Sequence, residues 1–284
     1  MSASHRIERL THLALRIKDP AASLPFYKNV LGMSLVSETN RGQRKHFCLQ
    51  YTDLQAVLEL VYDAADTAWH PMLSETLQPG YWKIAIAVAE LDHARACLLD
   101  KGVPVGDAFE VPDVAYLCHF SDPDGYCIEL IQHRFCRNHR PQPIQRDYPL
   151  GGAAVFSLVT LRIKDSARSL AFYGDVLGMT LLSRQQVADR GFTLYFLACT
   201  DESPPVRNID AIENREWLWQ RPYTVLELQH IEGTEHQSGQ TYNPDPVLGF
   251  EGLRFRRAGG YQPLSSGDST TVRDPDGYTI HLYG

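Results

Sequence analysis

The feature that most constrains this chain is a phrase of about twenty residues that occurs twice. Residues 15–35 contain L-R-I-K-D, S-L, F-Y, V-L-G-M and a further leucine, and residues 161–181 repeat these letters at a constant offset of 161 − 15 = 146 residues. A match of this kind indicates a duplication, and 284 residues are enough for two domains with separate hydrophobic cores. We therefore predict one domain at 1–133, a proline-containing linker at 134–152 and a second domain at 153–284.

The repeated phrase predicts a strand followed by a capped helix. Alternation along residues 11–17 places His12 and Arg16 on one face of the strand and apolar side chains on the other. Asp19 is a typical N-cap, and Gly32 is a typical C-terminal stop. Because Pro25 removes a backbone donor, we expect this helix to be short or bent.

The remainder of each copy predicts further strands and one more helix. In V-L-E-L, at residues 57–60, Glu59 lies on a strand face beside valines, where a carboxylate is costly unless it is paired or bound to a metal. A helix is expected at 91–101, and D-P-D-G at 122–125 joins two strands. The prediction is an α+β fold of tandem βαβββ units, with an insertion at 201–221 and the last helix lost around 257–267 of the second copy.

Composition narrows the class of partner. The formal net charge of −7 provides no basic field for nucleic acid, and the sequence has no apolar run of the length that a membrane span needs. Six cysteines at irregular spacing lack a zinc-type pattern and fit a reducing compartment. These features predict a soluble, cytoplasmic protein whose partners are neither nucleic acid nor membranes.

The ordered motifs resemble a known family. The repeated phrase, V-L-E-L, and D-P-D-G-Y-x-I-[E/H] at 122–129 and 274–281 are similar to those of the vicinal oxygen chelate superfamily (glyoxalase, bleomycin resistance and extradiol dioxygenase proteins), and most similar to its glyoxalase I-like branch with tandem domains. The resemblance covers nearly the whole chain. It implies two glyoxalase-like domains in which pairs of βαβββ units form half-open β-barrels around a metal.

The same resemblance implies the ligand positions, one for each of four strands in a barrel. The eight residues at these positions are His12, Glu59, Lys83 and Glu129 in the first copy and Leu158, Glu227, Gly252 and His281 in the second. Neither copy alone is a good site, because the first contains a lysine and the second contains two residues without a ligand atom.

In glyoxalase I-like proteins a barrel is completed by units from different domains or subunits. That pairing collects His12, Glu59 and His281 in one barrel and leaves Lys83 between glutamates in the other. Charge then balances in both barrels, so we predict one site for a single divalent ion (Fe, Mn, Ni, Co or Zn) and one degenerate barrel, in a monomer with paired domains or in a homodimer.

The resemblance implies chemistry at this metal site. The leading hypothesis is a glyoxalase I-like, metal-dependent lyase or isomerase that acts on a small oxygen-chelating substrate through an enediolate. Glu59 would be its catalytic carboxylate, and Arg16 would bind an anionic group of the substrate. The alternatives are an Fe(II)-dependent ring-cleaving dioxygenase with a two-histidine, one-carboxylate site, and a non-catalytic drug-binding protein. The sequence leaves open the substrate, the metal and any use of glutathione.

Overall fold

The computed structural model of the protein describes residues 6–66, 78–136, 142–243, 249–258 and 269–284. The first copy contains the strands β1 (Ile7–Ile17), β2 (Ser34–Arg41), β3 (Arg44–Gln50), β4 (Val57–Asp63), β5 (Gln78–Pro79), β6 (Tyr81–Val88), β7 (Phe109–Val111), β8 (Ala115–Ser121) and β9 (Cys127–Gln132). Its helices are α1 (Pro20–Pro25) and α2 (Leu91–Asp100).

The second copy repeats this order with the insertion that the sequence predicts, but its described residues contain no counterparts of α2 and β7. Its strands are β10 (Val155–Ile163), β11 (Thr180–Val187), β12 (Phe192–Ala198), β13 (Val225–Ile231), β14 (Tyr242–Asn243), β15 (Phe250–Arg257), β16 (Thr270–Arg273) and β17 (Thr279–Tyr283). Its helices are α3 (Ser166–Leu170) and α4 (Ile212–Leu218), and α4 lies in the insertion. Most of the segment where a helix loss is expected, 257–267, lies outside the described residues.

Two curled sheets dominate the fold, and each of them combines strands from both copies. The seven-stranded sheet has the order β16-β17-β15-β1-β4-β3-β2 and is called the first half-barrel below. The eight-stranded sheet, the second half-barrel, has the order β11-β12-β13-β10-β6-β9-β8-β7. The fold class is therefore the α+β arrangement of tandem units with half-open barrels that the sequence predicts, and the barrels are completed across the copies within one chain.

The two junctions between the copies have the same register. β1 runs antiparallel to β15 with Ala14 opposite Gly252, and β10 runs antiparallel to β6 with Thr160 opposite Lys83. Ala14 and Thr160 differ by the 146 residues of the repeat. Gly252 and Lys83 are thus equivalent positions, as the sequence alignment predicts.

The helix of each repeated phrase begins and ends as expected. Asp19 accepts a hydrogen bond from the backbone N–H of Ala21, and Gly32 has a positive φ of 83°. The α-helical part is short and continues as a π-helical turn at Phe26–Val30. The second copy makes the same turn at Ala171–Val176 with an alanine in place of Pro25, so the proline is not its cause.

The core lies between the sheets and the helices packed on them. Tyr27 and Tyr173 on the π-helical turns are fully buried, as are Leu31 and Leu161. None of the helices in the described residues has the length and apolar content that crossing a membrane requires.

Candidate functional site

The first half-barrel buries one carboxylate among basic side chains. Glu59 on β4 is fully buried, and its Oε1 lies 2.8 Å from Nδ1 of His46 on the neighbouring strand β3. Its Oε2 forms an ion pair with Nη1 of Arg254 on β15, and Nη1 of Arg41 lies 3.9 Å from Oε1. Both oxygens of the carboxylate therefore face positive or hydrogen-bonding groups.

These neighbours keep Glu59 ionised. Burial alone would raise the pKa of its carboxyl, but the hydrogen bond from His46 and the charge of Arg254 outweigh it and lower the pKa to about 2. At neutral pH the side chain is a carboxylate, which can ligate a metal or accept a proton.

His12 lies beside this carboxylate on β1, directly opposite Arg254 on β15. Burial, together with the charge of Arg254, lowers the pKa of His12 to about 4, so the imidazole is neutral at pH 7. Its Nδ1 is buried and has no hydrogen-bond partner in the described part of the chain. A neutral imidazole with an unpartnered ring nitrogen is suited to a metal ligand.

His281 belongs to the same half-barrel. It lies on β17, opposite Arg254, and its Nδ1 is 2.9 Å from Oγ1 of Thr271. Burial, followed by the charge of Arg254, lowers the pKa of this imidazole as well. The fold thus brings His12 and Glu59 of the first copy into one half-barrel with His281 of the second, and Arg254 lies among them.

Gly252 supplies no ligand, and its neighbours explain why. Its φ is +125°, and a Cβ there would lie 2.7 Å from the carbonyl oxygen of Thr279 on β17. A larger side chain at this position would collide with backbone.

Arg16 is close to other charged groups at a different point of the first half-barrel. Its guanidinium donates to Glu251 Oε1 through Nη2 at 2.8 Å and Nε at 3.0 Å, and to Asp66 Oδ2 at 2.9 Å. Arg44 also pairs with Glu251. An anionic group of a substrate would therefore have to compete with two carboxylates for Arg16.

The second half-barrel holds a closed ion cluster. Nζ of Lys83, which is only 3% exposed, lies 2.9 Å from Glu129 and 3.5 Å from Glu227. His119 lies 2.9 Å from the other oxygen of Glu129. Burial would lower the pKa of Lys83, but the charges of the two glutamates outweigh it and raise the pKa. The cavity over this cluster is about 50 Å³, which is room for a few water molecules.

A larger pocket lies elsewhere. It has about 570 Å³, and residues of β11, β12 and the insertion line it. Arg184 and Asp210 form a bidentate pair at 2.8 Å on its wall, and Arg215, 1% exposed, donates to backbone carbonyls there. No imidazole is among its described lining residues, and Asp210 is neutralised by Arg184, so the first half-barrel remains the candidate site.

Sequence reasoning missed two of the main groups, Arg254 and His46. Neither lies in a repeated motif, because the positions equivalent to Arg254 and His46 in the other copy are Ala85 and Leu194. The signal that could have found His46 is its alternation with Arg44 and Cys48 on one face of β3.

The donor chemistry fits a divalent ion, although the side chains do not form a finished metal site. Among the described residues, no group of three or more His, Cys, Asp or Glu side chains is arranged to hold a metal. Two neutral imidazoles and one ionised carboxylate are nevertheless a common donor set for a divalent transition metal. The unpartnered Nδ1 of His12 agrees with this chemistry, and a protein cation, Arg254, lies at the carboxylate.

Comparisons with known proteins place the chain in a family. The profile of the Glyoxalase/Bleomycin resistance protein/Dioxygenase superfamily matches residues 9–130. A lactoylglutathione lyase of Pseudomonas aeruginosa is 34% identical over 161 residues, which cover 50% of this chain and 85% of that protein. Glyoxalase I of Saccharomyces cerevisiae is 29% identical over 258 residues, with 82% of this chain and 72% of that protein covered.

The solved structures agree on the fold. Glyoxalase I from Zea mays superposes with a TM-score of 0.69 over 97% of this chain and 92% of that chain, at 21% identity. A divalent metal ion is the cofactor that this family implies. The chain therefore belongs to the glyoxalase, bleomycin resistance protein and dioxygenase superfamily, in which it is a glyoxalase I-like enzyme.

Proposed function

We propose that the first half-barrel is the active site of a lyase or isomerase of the glyoxalase I type, and that His12, Glu59 and His281 hold one divalent ion there. The observation that carries this proposal is the gathering of a neutral His12 and an ionised Glu59 in one half-barrel with His281 from the other copy. The expected metals remain Fe, Mn, Ni, Co and Zn, which accept imidazole and carboxylate together.

The chain's own groups have separate tasks in this reaction. A divalent ion bound there supplies Lewis-acid stabilisation of negative charge that develops on substrate oxygens. Glu59 accepts the proton from one substrate carbon and returns it to the adjacent carbon, because it is ionised and buried. His46 holds Oε1 of Glu59 and thereby directs Oε2 toward His12 and Arg254. Thr271 fixes the ring orientation of His281.

The substrate class comes from the relatives. Since several of them are named lactoylglutathione lyase, we propose that the substrate is the thiohemiacetal that precedes lactoylglutathione. Arg16 would then bind a carboxylate of the glutathione moiety in exchange for Glu251 or Asp66.

The test is an assay of the purified chain with methylglyoxal and glutathione. After treatment with a chelator and reloading with each of the five metals, thioester formation is followed by its ultraviolet absorbance, and bound metal is counted by plasma mass spectrometry. We expect about one equivalent of metal and metal-dependent turnover, with both lost in His281→Ala and turnover lost in Glu59→Gln. His236→Ala, which removes an imidazole that is 82% exposed, is the matched control.

Two results would count against the proposal. Turnover that survives in Glu59→Gln would remove its catalytic role, and full metal content in His281→Ala would remove that ligand.

A ring-cleaving dioxygenase is the second candidate, because two histidines and one carboxylate also form the set that binds Fe(II) in oxygenases. Oxygen uptake with catechols by the iron-loaded protein would favour it over the lyase. The enzymatic relatives give no support to the non-catalytic alternative.

The remaining parts of the proposal concern organisation. We propose the domain limits 1–133 and 153–284 with the linker between them, and a monomer, since both half-barrels are completed within one chain. A cytoplasmic location agrees with six free cysteines.

A further inference from the structure

Each half-barrel contains a basic side chain that is paired with a buried glutamate. In the second half-barrel this is Lys83 on β6, which bridges Glu129 and Glu227. In the first it is Arg254 on β15, two residues along the strand from Gly252, the position equivalent to Lys83. A shift of two residues keeps a side chain on the same face of a strand. In both half-barrels a protein cation thus lies among the positions that the family resemblance assigns to metal ligands.

The two cations differ in how completely they satisfy their partners. Lys83 donates a hydrogen bond to Glu129, and His119 takes the other oxygen of that glutamate. In the first half-barrel, Oε2 of Glu59 meets Arg254 as an ion pair but accepts no hydrogen bond in the described part of the chain, and Nδ1 of His12 is also unpartnered. Among the described residues, Nδ1 of His12 is therefore left without a partner, and Oε2 of Glu59 is held by the ion pair with Arg254 alone.

We propose that Arg254 and a divalent metal compete for Oε2 of Glu59, so that this arginine sets the metal affinity of the first half-barrel. The inference rests on the metal site of the proposed function. A metal binds a carboxylate oxygen at roughly 2.0–2.2 Å, so a guanidinium held on the same oxygen would lie within a few ångströms of the ion. Like charges at such close range also repel strongly in a buried site.

The arginine also has a reason to be there without metal. A buried carboxylate with no cation is strongly destabilising, so Arg254 keeps the fold intact in the metal-free protein. Metal binding exchanges one cation for another, and the cost of releasing the arginine is subtracted from the metal affinity. A substitution that removes the arginine removes this cost as well. It should therefore strengthen metal binding by the factor to which the cost corresponds.

The experiment measures metal affinity, without reference to activity. The full chain is stripped with a chelator, and Zn²⁺ and Mn²⁺ are titrated against a competing fluorescent chelator. We expect Arg254→Met to bind metal roughly ten- to a hundredfold more tightly than the wild type. Arg254→Lys, which retains the charge, should lie close to the wild type. The matched control is Arg256→Met on the same strand, whose guanidinium is 44% exposed and pairs with Glu8.

A second readout covers the case in which Arg254→Met does not fold without metal. That variant is purified with Zn²⁺ bound, and the ion is withdrawn by competition, which gives the affinity from the opposite direction. Thermal unfolding should then show a larger metal-induced rise in Tm for Arg254→Met than for the wild type.

The outcomes separate the inference from the function on which it rests. Equal or weaker metal binding in Arg254→Met, with binding still abolished by His12→Ala, would overturn the competition and leave the proposed site standing. If neither the wild type nor Arg254→Met binds metal in a way that depends on His12, the metal site of the proposed function fails and the inference fails with it.

Discussion

At the scale of single residues, the candidate site depends on Gly252 as much as on its ligands. This glycine lets β15 approach β17 closely enough for Arg254 and His281 to lie opposite each other. A side chain at position 252 would separate these strands. A fourth metal ligand at this position is therefore incompatible with the close packing of β15 against β17.

We predict that Gly252→Ala lowers the free energy of unfolding by about 2–4 kcal/mol. The added Cβ would lie 2.7 Å from a carbonyl oxygen, and the φ of +125° is strained for alanine. Urea unfolding of the variant measures this loss. Gly174→Ala is the matched control, because the contact of its Cβ, 3.8 Å, is ordinary and its φ is not positive. An equal effect of the two substitutions would contradict the prediction.

Lys83 provides a second prediction at this scale. Lys83→Met should cost about 3–5 kcal/mol, because it leaves two buried glutamates without their cation. Zn²⁺ or Mn²⁺ should recover part of that stability, since Glu129, Glu227 and His119 remain as possible ligands. Thermal unfolding with and without metal measures both effects. Lys45→Met, at an exposed position of β3, is the control and should change neither the stability nor its response to metal. A Lys83→Met variant as stable as the wild type would refute the stabilising role of the ion cluster.

Some residues of the candidate site can be predicted from the sequence, and others cannot. His12, Glu59 and His281 occupy positions that the repeat and the family motifs mark. Arg254 reaches Glu59 only because β15 pairs with β1, although the two strands are more than two hundred residues apart in the chain. The hydroxyl of Thr11, for example, donates to the backbone carbonyl of Arg254 across a separation of 243 residues. No local pattern encodes such a contact, so the cation at the carboxylate appears only in the structure.

At the scale of elements, each repeated helix is fastened to a later turn of its own copy. Tyr27 donates to Asp122 at 2.7 Å in the first copy, and Tyr173 donates to Asp274 at 2.9 Å in the second. Because α1 follows a strand of the first half-barrel and Asp122 belongs to a turn of the second, these bonds tie the two sheets together. The repeat therefore conserves a pair of contacts as well as a pair of elements.

These contacts predict a dependence of stability on pH. Burial, helped by the neighbouring acidic groups and opposed by hydrogen bonds, raises the pKa of both Asp122 and Asp274 to about 7. The unfolded value is about 3.9, so between pH 4 and 7 the native state binds more protons than the unfolded state, and stability falls as the pH rises. We expect each carboxyl to contribute a loss of roughly 1–3 kcal/mol across this range.

The measurement is urea unfolding of the wild type and of Asp122→Asn/Asp274→Asn at pH 5 and pH 8. The double variant lacks both titrations, so its stability relative to the wild type should be higher at pH 8 than at pH 5. Asp147→Asn, at an exposed loop position, should follow the wild type at both values. Parallel pH profiles for the double variant and the wild type would show that the two carboxyls do not titrate in this range.

Most elements could be predicted from sequence, and the exceptions have physical causes. The caps and the apolar alternation predict β1, α1 and their copies closely. β2 was not predicted, because seven of its eight residues are exposed and no alternation of burial marks it. The π-helical turns were not predicted either, because both repeated segments have the sequence pattern of ordinary α-helices. The turns accompany the packing of the buried Tyr27 and Tyr173.

At the scale of the whole molecule, the duplication produces half-barrels that neither copy can complete alone. β1 needs β15 for its second neighbour, and β6 needs β10. An unpaired strand edge readily recruits another strand, so the two copies are mutually dependent.

The last prediction follows from this dependence. Residues 1–141 and 142–284, produced together as separate chains, should associate as a 1:1 complex that restores both half-barrels and binds metal as the intact protein does. Residues 1–141 produced alone should pair with themselves or aggregate, because both β1 and β6 lose a partner. In a self-pair the position of Gly252 would be taken by Lys83, whose ammonium would meet Glu59, so this species should bind no metal. Light scattering coupled to size exclusion, with metal analysis of each peak, distinguishes the species. A folded monomer of residues 1–141 would show that the copies are independent and that the shared half-barrels are not what holds them together.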